Sequence, residues 1–373
     1  MLKRKIEQKL IDWKNTENRK PLIIKGCRQC GKTFSVLDFA KKNYKNVVYL
    51  NFFENPDYAS VFAGSLEVDT IVMMLSALLG SEAVFESGST VLILDEIQEC
   101  PEARTALKFF RIDGRYDVIG TGSLLGVKGY GKEPKSVPVG SETVIDMYPL
   151  DFEEFLWANR IADPVIDMLK KCLQKETPVP EALHNRMKQL LLQYVVVGGM
   201  PDAVQTFVDT KQMDEVLQIQ RDIVRSYEDD MVKYAEKKDK SRIKECFQSI
   251  PKQLSKENKK FQYSVVKKGS TASKYAGSLQ WIEDAGIIVR CYNLSITELP
   301  LDGNAEEDIF KVYMRDCGLF VSMLEDGTQY DILQGNLYGY KGAIFENLIA
   351  DVFGKMGRNS TISTKTAAWK WTL

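Results

Sequence analysis

The sequence contains a single histidine, His184, among 373 residues, and its formal net charge is −1. One histidine cannot build a metal site, and its polar helical surroundings favour a solvated side chain over a ligand or a base. The balanced charge excludes a field that would draw the whole chain to nucleic acid. Any basic surface must therefore be local.

Long apolar runs are missing too, because no stretch approaches the length of a membrane span. Residues 1–13 mix charged and apolar residues as an amphipathic helix does, without the pattern of a signal peptide. The seven cysteines are an odd, scattered set that fits reduced thiols. These features predict a cytoplasmic protein with no membrane partner.

One stretch, Gly26–Thr33, fits G-x-x-x-x-G-K-[ST] at every fixed position. An apolar run precedes it and a helical pattern follows it, which is the strand–turn–helix context of a phosphate loop. Lys32 is expected to reach the β- and γ-phosphates, and the Thr33 hydroxyl to hold Mg²⁺. The predicted nucleotide-binding residues are Gly26, Cys27, Arg28, Gln29, Cys30, Gly31, Lys32, Thr33 and Phe34.

The cysteines of this loop, Cys27 and Cys30, form a CxxC pair. No second pair follows at the spacing of a zinc site, so we interpret them as occupants of the loop, with a redox role as the weaker alternative.

A second motif is Val91–Glu96, four apolar residues followed by two carboxylates. A buried parallel strand delivers such acids to its carboxyl end, where ligands bind. Asp95 is predicted to hold the Mg²⁺ hydration shell, and Glu96 to orient and activate the attacking water. A strand that merely ends in acids is the alternative, but the phosphate loop upstream favours catalysis.

Further candidates follow the fourth predicted strand. Thr121 and Ser123 lie in Gly120–Ser123 and are candidate sensors of the γ-phosphate, with a simple glycine turn as the alternative. Arg111 and Arg115 are candidate arginine fingers toward a neighbouring subunit in a homo-oligomer, although surface arginines are common.

The predicted strands Pro21–Lys25, Asn46–Phe53, Val91–Leu94, Tyr116–Ile119 and Thr143–Met147 alternate with helices, which predicts a three-layer α/β domain. The glycine- and proline-rich stretch Gly126–Gly140 is predicted to be a loop. The expected division of the chain is a leading helix at 1–17, an ATPase domain at 18–150, a helical region at 151–235, a winged-helix-like segment at 236–295 and a last domain at 296–373.

Charge is uneven within the third region, because residues 233–275 carry 13 Lys/Arg against 4 Asp/Glu. We expect short helices at Ile250–Lys256 and Phe261–Val266, a third helix capped by Ser270 and ended by Gly286, and then a strand. This order suggests a winged helix whose 271–284 helix enters a DNA major groove, within a basic segment spanning 233–285. The alternatives are a protein-contact element and a solvated lysine-rich face.

Taken together, these motifs resemble a family of prokaryotic AAA-type ATPases with a C-terminal restriction-endonuclease-like domain. The more specific marks of the resemblance are Pro149–Phe155, Gly198–Pro201, Asp316–Leu319 and Lys341–Asn347. The resemblance implies an AAA/ASCE-type parallel sheet, a helical region with a winged helix, and a nuclease-like α/β domain. It also implies that the nucleotide is ATP, since no residue identifies the base.

In the nuclease-like fold, the helix glutamate would correspond to Glu346. The strand with an acidic pair that should follow is missing, so we expect a truncated domain without nuclease activity. Reading Trp369–Thr372 from the third base of each codon gives Glu-(Met/Val)-Asp, which suggests a frameshifted tail from about Asn359. A natural variant with a disordered tail is the alternative.

Three functions therefore stand in order. The first is an ATPase that couples nucleotide state to a C-terminal effector region through Lys32, Thr33, Asp95 and Glu96. The second is a nucleotide-gated DNA-binding module with incidental hydrolysis. The third is a DNA nuclease.

Overall fold

A computed structural model describes residues 2–123, 140–234, 239–256, 260–336, 341–356, 361–363 and 370–371. The chain divides into two compact units, Arg4–Met147 and Met1–Lys3 together with Tyr148–Leu373. None of the helices in these ranges is both long enough and apolar enough to cross a bilayer. The predicted loop at Gly126–Gly140 lies outside the described residues except for Gly140.

The first unit is built on a parallel sheet in the order β2–β3–β4–β1–β5. Its strands are β1 (Leu22–Lys25), β2 (Asn46–Asn51), β3 (Thr90–Asp95), β4 (Asp117–Gly122) and β5 (Thr143–Asp146). Its helices are α1 (Ile6–Lys14), α2 (Lys32–Asn43), α3 (Val68–Leu79) and α4 (Pro101–Asp113). The five predicted strands and the three-layer architecture are confirmed.

The core lies on both faces of this sheet because successive side chains of a strand point to opposite sides. Leu92 and Leu94 of β3 join one apolar cluster with residues of α3 and α4. Val91 and Ile93 join the other cluster with residues of α1 and α2. All six residues of β3 are buried, which explains the near-continuous apolar run that precedes Asp95.

The second unit is mostly helical. Its helices are α5 (Phe152–Ala158), α6 (Asp163–Gln174), α7 (Glu181–Val197), α8 (Pro201–Thr210), α9 (Met213–Tyr234), α10 (Lys240–Leu254), α11 (Tyr263–Val266), α12 (Ala272–Asp284), α13 (Cys317–Ser322), α14 (Thr328–Leu333) and α15 (Lys341–Lys355). Its strands are β6 (Ile288–Leu294), β7 (Ala305–Met314), β8 (Thr361–Ser363) and β9 (Lys370–Trp371).

These four strands form a second sheet in the order β7–β6–β8–β9. The main pairing is the antiparallel hairpin of β6 and β7, while β8 runs parallel to β6 and antiparallel to β9. Along the chain, three helices, α10 to α12, lead directly into that hairpin. The rest of the predicted tail, 357–360, 364–369 and 372–373, lies outside the described residues.

Two local predictions in this unit were wrong. The helix expected at Ile250–Lys256 is the end of α10, which begins at Lys240 and continues through Pro251. Ile243, Phe247 and Ile250 repeat at helical spacing and are buried, so packing outweighs the proline. The cap residue of α12 is Thr271, one residue later than the predicted Ser270, and the Thr271 side chain makes no capping hydrogen bond.

The predicted break at Val197–Pro201 falls between α7 and α8, and Asp316 explains its two glycines. The Asp316 carboxylate accepts hydrogen bonds from the Gly199 amide at 2.6 Å and the Leu319 amide at 2.8 Å. A Cβ at Gly198 would lie 2.2 Å from Asp316 Oδ1, and Gly198 has a φ of 71°. One buried carboxylate thus joins the α7–α8 turn to the start of α13.

Candidate nucleotide site

The phosphate loop begins where β1 ends and closes where α2 begins at Lys32. Gln29 and Gly31 both have positive φ, 63° and 92°, so the backbone curls tightly just before the helix. Gly26 has no room for a side chain, since a Cβ there would lie 2.1 Å from the Met147 carbonyl oxygen. The sequence motif therefore folds as a compact backbone turn at a helix N-terminus, the arrangement that binds phosphate.

Lys32 is 5% exposed, and its amino group faces back into the loop. It donates hydrogen bonds to the carbonyl oxygens of Gly26 at 3.0 Å and Cys27 at 2.9 Å. A buried ammonium held only by carbonyl groups keeps its full positive charge at the loop. This charge is available to an anion that the loop encloses.

Asp95, at the end of β3, is the most heavily hydrogen-bonded group of the site. Its Oδ2 accepts from the Thr33 hydroxyl at 2.9 Å and from the Tyr49 hydroxyl at 2.8 Å. Its Oδ1 accepts from the Thr121 hydroxyl and from the Glu96 amide at 3.2 Å. The two motifs predicted from sequence thus meet at one carboxylate that is 2% exposed.

Tyr49 is a site residue that the sequence analysis missed. It lies on β2, which pairs with β3, and its hydroxyl also accepts from Asn51 Nδ2 at 3.2 Å. Burial, followed by the hydrogen bond to Asp95, raises the pKa of Tyr49, so the group stays protonated and donates. The available signal was a tyrosine near the carboxyl end of an otherwise aliphatic strand.

Glu96 follows Asp95 in the left-handed backbone conformation, with a φ of 51°. Its Oε2 accepts hydrogen bonds from Gln98 Nε2 and from Ser123 Oγ, the latter at 3.4 Å. Thr121 and Ser123 follow one another at the end of β4, and each contacts one of the two predicted acids. The two candidate sensors therefore lie in the site together with the two carboxylates.

The candidate arginine fingers lie at the opposite edge of the sheet. Arg111 and Arg115 flank the C-terminus of α4, immediately before β4, whose carboxyl end is at the site. The length of β4 alone separates the two edges by roughly 20 Å. Neither arginine therefore belongs to the site of its own chain.

The two arginines also differ in their partners. Arg115 pairs with Asp113 at 2.7 Å and Asp69 at 2.5 Å, and its hydrogen bonds lower the pKa of Asp113. Arg111 is exposed and donates to the Gly140 carbonyl oxygen at 2.7 Å. In the part of the chain that the structure describes, no carboxylate pairs with Arg111.

The cysteines of the loop are buried and free. The Cys30 sulfur lies 3.6 Å from the Met147 carbonyl oxygen. A hydrogen bond from Cys27 and the charges of Lys32 and Arg4 lower the pKa of Cys30 to about 6, against the effect of burial. Among the described residues, no group of three or more His, Cys, Asp or Glu side chains could hold a metal ion.

Glu346, the predicted nuclease glutamate, lies on α15 and contacts β7. Its Oε2 accepts from Lys311 Nζ and from the Tyr313 hydroxyl, both at 3.0 Å. The described residues bring no second acid beside it that would complete a metal site.

The basic segment contains both paired and unpaired lysines. Lys244 and Lys267 form ion pairs with Glu228 and Glu245, at 3.0 and 2.9 Å. Lys268 and Lys274 are exposed, and among the described residues neither forms an ion pair. The first turns of α12 expose mostly small residues around Lys274, whereas Leu279 and Ile282 are buried.

A parallel five-stranded sheet with a phosphate loop after β1 and an acid pair after β3 defines the fold of a P-loop NTPase. Within it, residues 18–156 match the family model described as an AAA domain. Residues 188–330 match a domain of unknown function, DUF8612. No curated protein sequence matches the chain significantly.

Solved structures agree with this fold. The Walker-type ATPase PABY2304 of Pyrococcus abyssi has a TM-score of 0.50 at 14% identity, covering 87% of this chain and 96% of that one. The ORC1 protein of Aeropyrum pernix, solved in complex with DNA, scores 0.34 at 12% identity, covering 91% and 94%. The RuvB Holliday junction branch migration motor of Thermotoga maritima scores 0.34 at 14% identity, covering 78% and 90%.

Proposed function

We propose that the protein binds ATP with Mg²⁺ and hydrolyses it by attack of water on the γ-phosphate. The observation that carries the proposal is the hydrogen bond between Thr33 and Asp95, which unites the phosphate loop with the acid pair. Lys32 contacts the β- and γ-phosphates and stabilises the charge that develops on the γ-phosphoryl oxygens. The AAA-domain match at 18–156 supports the same activity.

The residues fit a magnesium ion. Thr33 Oγ1 and Asp95 Oδ2 lie 2.9 Å apart, at the end of a buried strand. Two adjacent oxygen ligands of an octahedral Mg²⁺ have a separation of about 2.9 Å, given bonds of about 2.0–2.1 Å. Bound there, Mg²⁺ would neutralise charge on the β- and γ-phosphates.

Glu96 is the proposed general base. Its Oε1 accepts no hydrogen bond from the described residues, so this oxygen is available to the attacking water. Thr121 holds Asp95, while Ser123 lies beside the Glu96 carboxylate and is the better placed of the two to respond to the γ-phosphate.

A homo-oligomer would complete the site with an arginine from a neighbouring subunit. We assign this role to Arg111 over Arg115, because two carboxylates already neutralise Arg115. The guanidinium of Arg111 contacts only a carbonyl group among the described residues. The nucleotide state would then act on the C-terminal region as the effector.

Lys32→Ala and Glu96→Gln test this function. Lys32→Ala removes the charge of the loop and is expected to abolish ATP binding in calorimetry, whereas Glu96→Gln should bind ATP but turn it over slowly. Lys41→Ala, an exposed lysine on α2, is the matched control and should behave as wild type. ATP binding by Lys32→Ala at wild-type affinity would contradict the assignment.

A nucleotide-gated DNA-binding module is the second candidate. The order α10–α11–α12–β6–β7 is typical of a winged helix, and the exposed start of α12 carries Lys274. The lysine excess of residues 233–275 favours contact with phosphates. A nuclease has less support, because Lys311 and Tyr313 already occupy Glu346.

A further inference from the structure

The Glu96 carboxylate has a neighbour with no assigned role in the site. Gln98 follows two residues later and donates a hydrogen bond from Nε2 to Glu96 Oε2. We propose that Gln98 is a positioning residue that fixes the Glu96 carboxylate toward the attacking water. The proposal rests on the proposed ATP hydrolysis and names a residue that controls its general base.

The backbone around Gln98 is well anchored. Ile97 is fully buried in the apolar cluster of the sheet, and the Glu99 amide donates to the Glu96 carbonyl oxygen at 2.9 Å, closing a tight turn. Glu96 enters this turn with a positive φ, which any residue with a Cβ adopts only at a cost. The Gln98 side chain therefore starts from a fixed point beside Glu96.

The chemistry of the pair requires one orientation of the amide. An ionised carboxylate only accepts hydrogen bonds, so the Gln98 NH₂ must face Glu96 and its carbonyl oxygen must point away. That oxygen, Oε1, is buried and has no hydrogen-bond partner among the described residues. A buried acceptor without a partner opposes stability, which indicates that the contact with Glu96 and not folding explains the glutamine.

The contact also divides the work of the Glu96 oxygens. Gln98 and Ser123 both donate to Oε2, while Oε1 accepts nothing from the described residues. Without Gln98, the carboxylate would keep only the longer Ser123 contact at 3.4 Å and could rotate. Misplacement of a base by about 1 Å costs on the order of 100-fold in rate, so we expect a large effect on turnover.

The test measures steady-state ATP turnover and Mg-ATP affinity for Gln98→Ala and Gln98→Met. We expect kcat to fall about 10- to 100-fold while the Kd for Mg-ATP stays within about twofold. Gln98→Met keeps the volume and removes the unpaired acceptor, so its thermal midpoint should not fall below that of wild type. Gln8→Ala, an exposed glutamine on α1, is the control.

A double variant separates positioning from other roles. If Gln98 acts through Glu96, adding Gln98→Ala to Glu96→Gln should lower turnover no further, because the general base is already lost. Wild-type kcat in both Gln98 variants would overturn the proposal, as would an equal loss in both backgrounds. Failure of ATP hydrolysis itself has a different signature, since wild type and Glu96→Gln would then turn over ATP equally.

Discussion

At the residue scale, one carboxylate organises the site. Asp95 accepts from three hydroxyl groups and one amide, and the hydroxyls come from three different elements. Thr33 begins α2, Tyr49 lies on β2 and Thr121 lies on β4. Because four neutral donors fix both oxygens, Asp95 is preorganised for a cation and pays no reorganisation when one binds.

Tyr49→Phe tests this arrangement. Loss of the hydroxyl leaves Asp95 Oδ2 with Thr33 as its only side-chain donor among those found here, so the carboxylate should be less ordered. We expect the Mg²⁺ concentration for half-maximal turnover to rise severalfold, with a loss of about 1 kcal/mol in unfolding free energy. Tyr58→Phe is the control, and an unchanged Mg²⁺ dependence would contradict the assignment.

The residues of the site were predictable to different degrees. Lys32, Thr33, Asp95 and Glu96 were predictable because motif spacing and strand polarity bring them to one edge of a parallel sheet. Tyr49 and Gln98 were not, because their roles depend on strand pairing and on a turn with positive φ. Neither feature leaves a periodic signal in the sequence.

At the element scale, α15 shows how a polar stripe can be buried. Asn347, Asp351 and Lys355 recur at four-residue spacing on one face of the helix. Asn347 exchanges two hydrogen bonds with the Met314 backbone, at 2.8 and 3.1 Å. Lys355 donates to Asp351 at 2.7 Å and to the Leu150 carbonyl oxygen at 3.1 Å.

Lys355→Met is expected to destabilise this unit by about 3–5 kcal/mol, because it leaves a buried carboxylate without its cation. Burial, the largest influence, already raises the pKa of Asp351 to about 7, and Lys355 is the main group that lowers it. Without Lys355, protonation stabilises the native state further, so the deficit should grow as pH rises from about 5 to 8.

The double variant Lys355→Met/Asp351→Asn is the control and should recover part of the loss in urea unfolding. A Lys355→Met protein as stable as wild type at pH 8 would contradict this role. Asp316 and Arg315, which also influence Asp351, stay unchanged in both variants.

Elements with a strong hydrophobic period were predictable, and those shaped by tertiary packing were less so. The strands of the first sheet followed from their apolar runs. The extent of α10 did not, because the burial of Ile243 and Phe247 on either side of a turn outweighs the break expected near Pro251. The N-cap of α12 was displaced by one residue because the Thr271 side chain makes no capping bond that would mark it.

At the scale of the whole molecule, two units share one chain. The first, Arg4–Met147, contains the proposed catalytic site, and the second contains the basic segment and the buried polar stripe of α15. The fold of the first unit was predictable because a parallel α/β sheet repeats one simple pattern. The second sheet was harder to predict, since β8 and β9 are only three and two residues long.

DNA binding is tested on the full chain by fluorescence anisotropy with duplex DNA across a salt series. We expect log affinity to fall with log salt, and Lys268→Ala/Lys274→Ala to reduce the magnitude of the slope by about two. Lys188→Ala, an exposed lysine on α7, should leave the slope unchanged. Undetectable binding at low salt would leave this segment as a protein-contact element.

The central claim is that Glu96 activates water at a site built by Lys32, Thr33 and Asp95. The most direct measurement is steady-state turnover of saturating Mg-ATP by wild type and Glu96→Gln, with ATP affinity measured on the same samples. The account predicts that Glu96→Gln loses on the order of 100-fold or more in kcat while ATP affinity is retained. Equal turnover by the two proteins would contradict it.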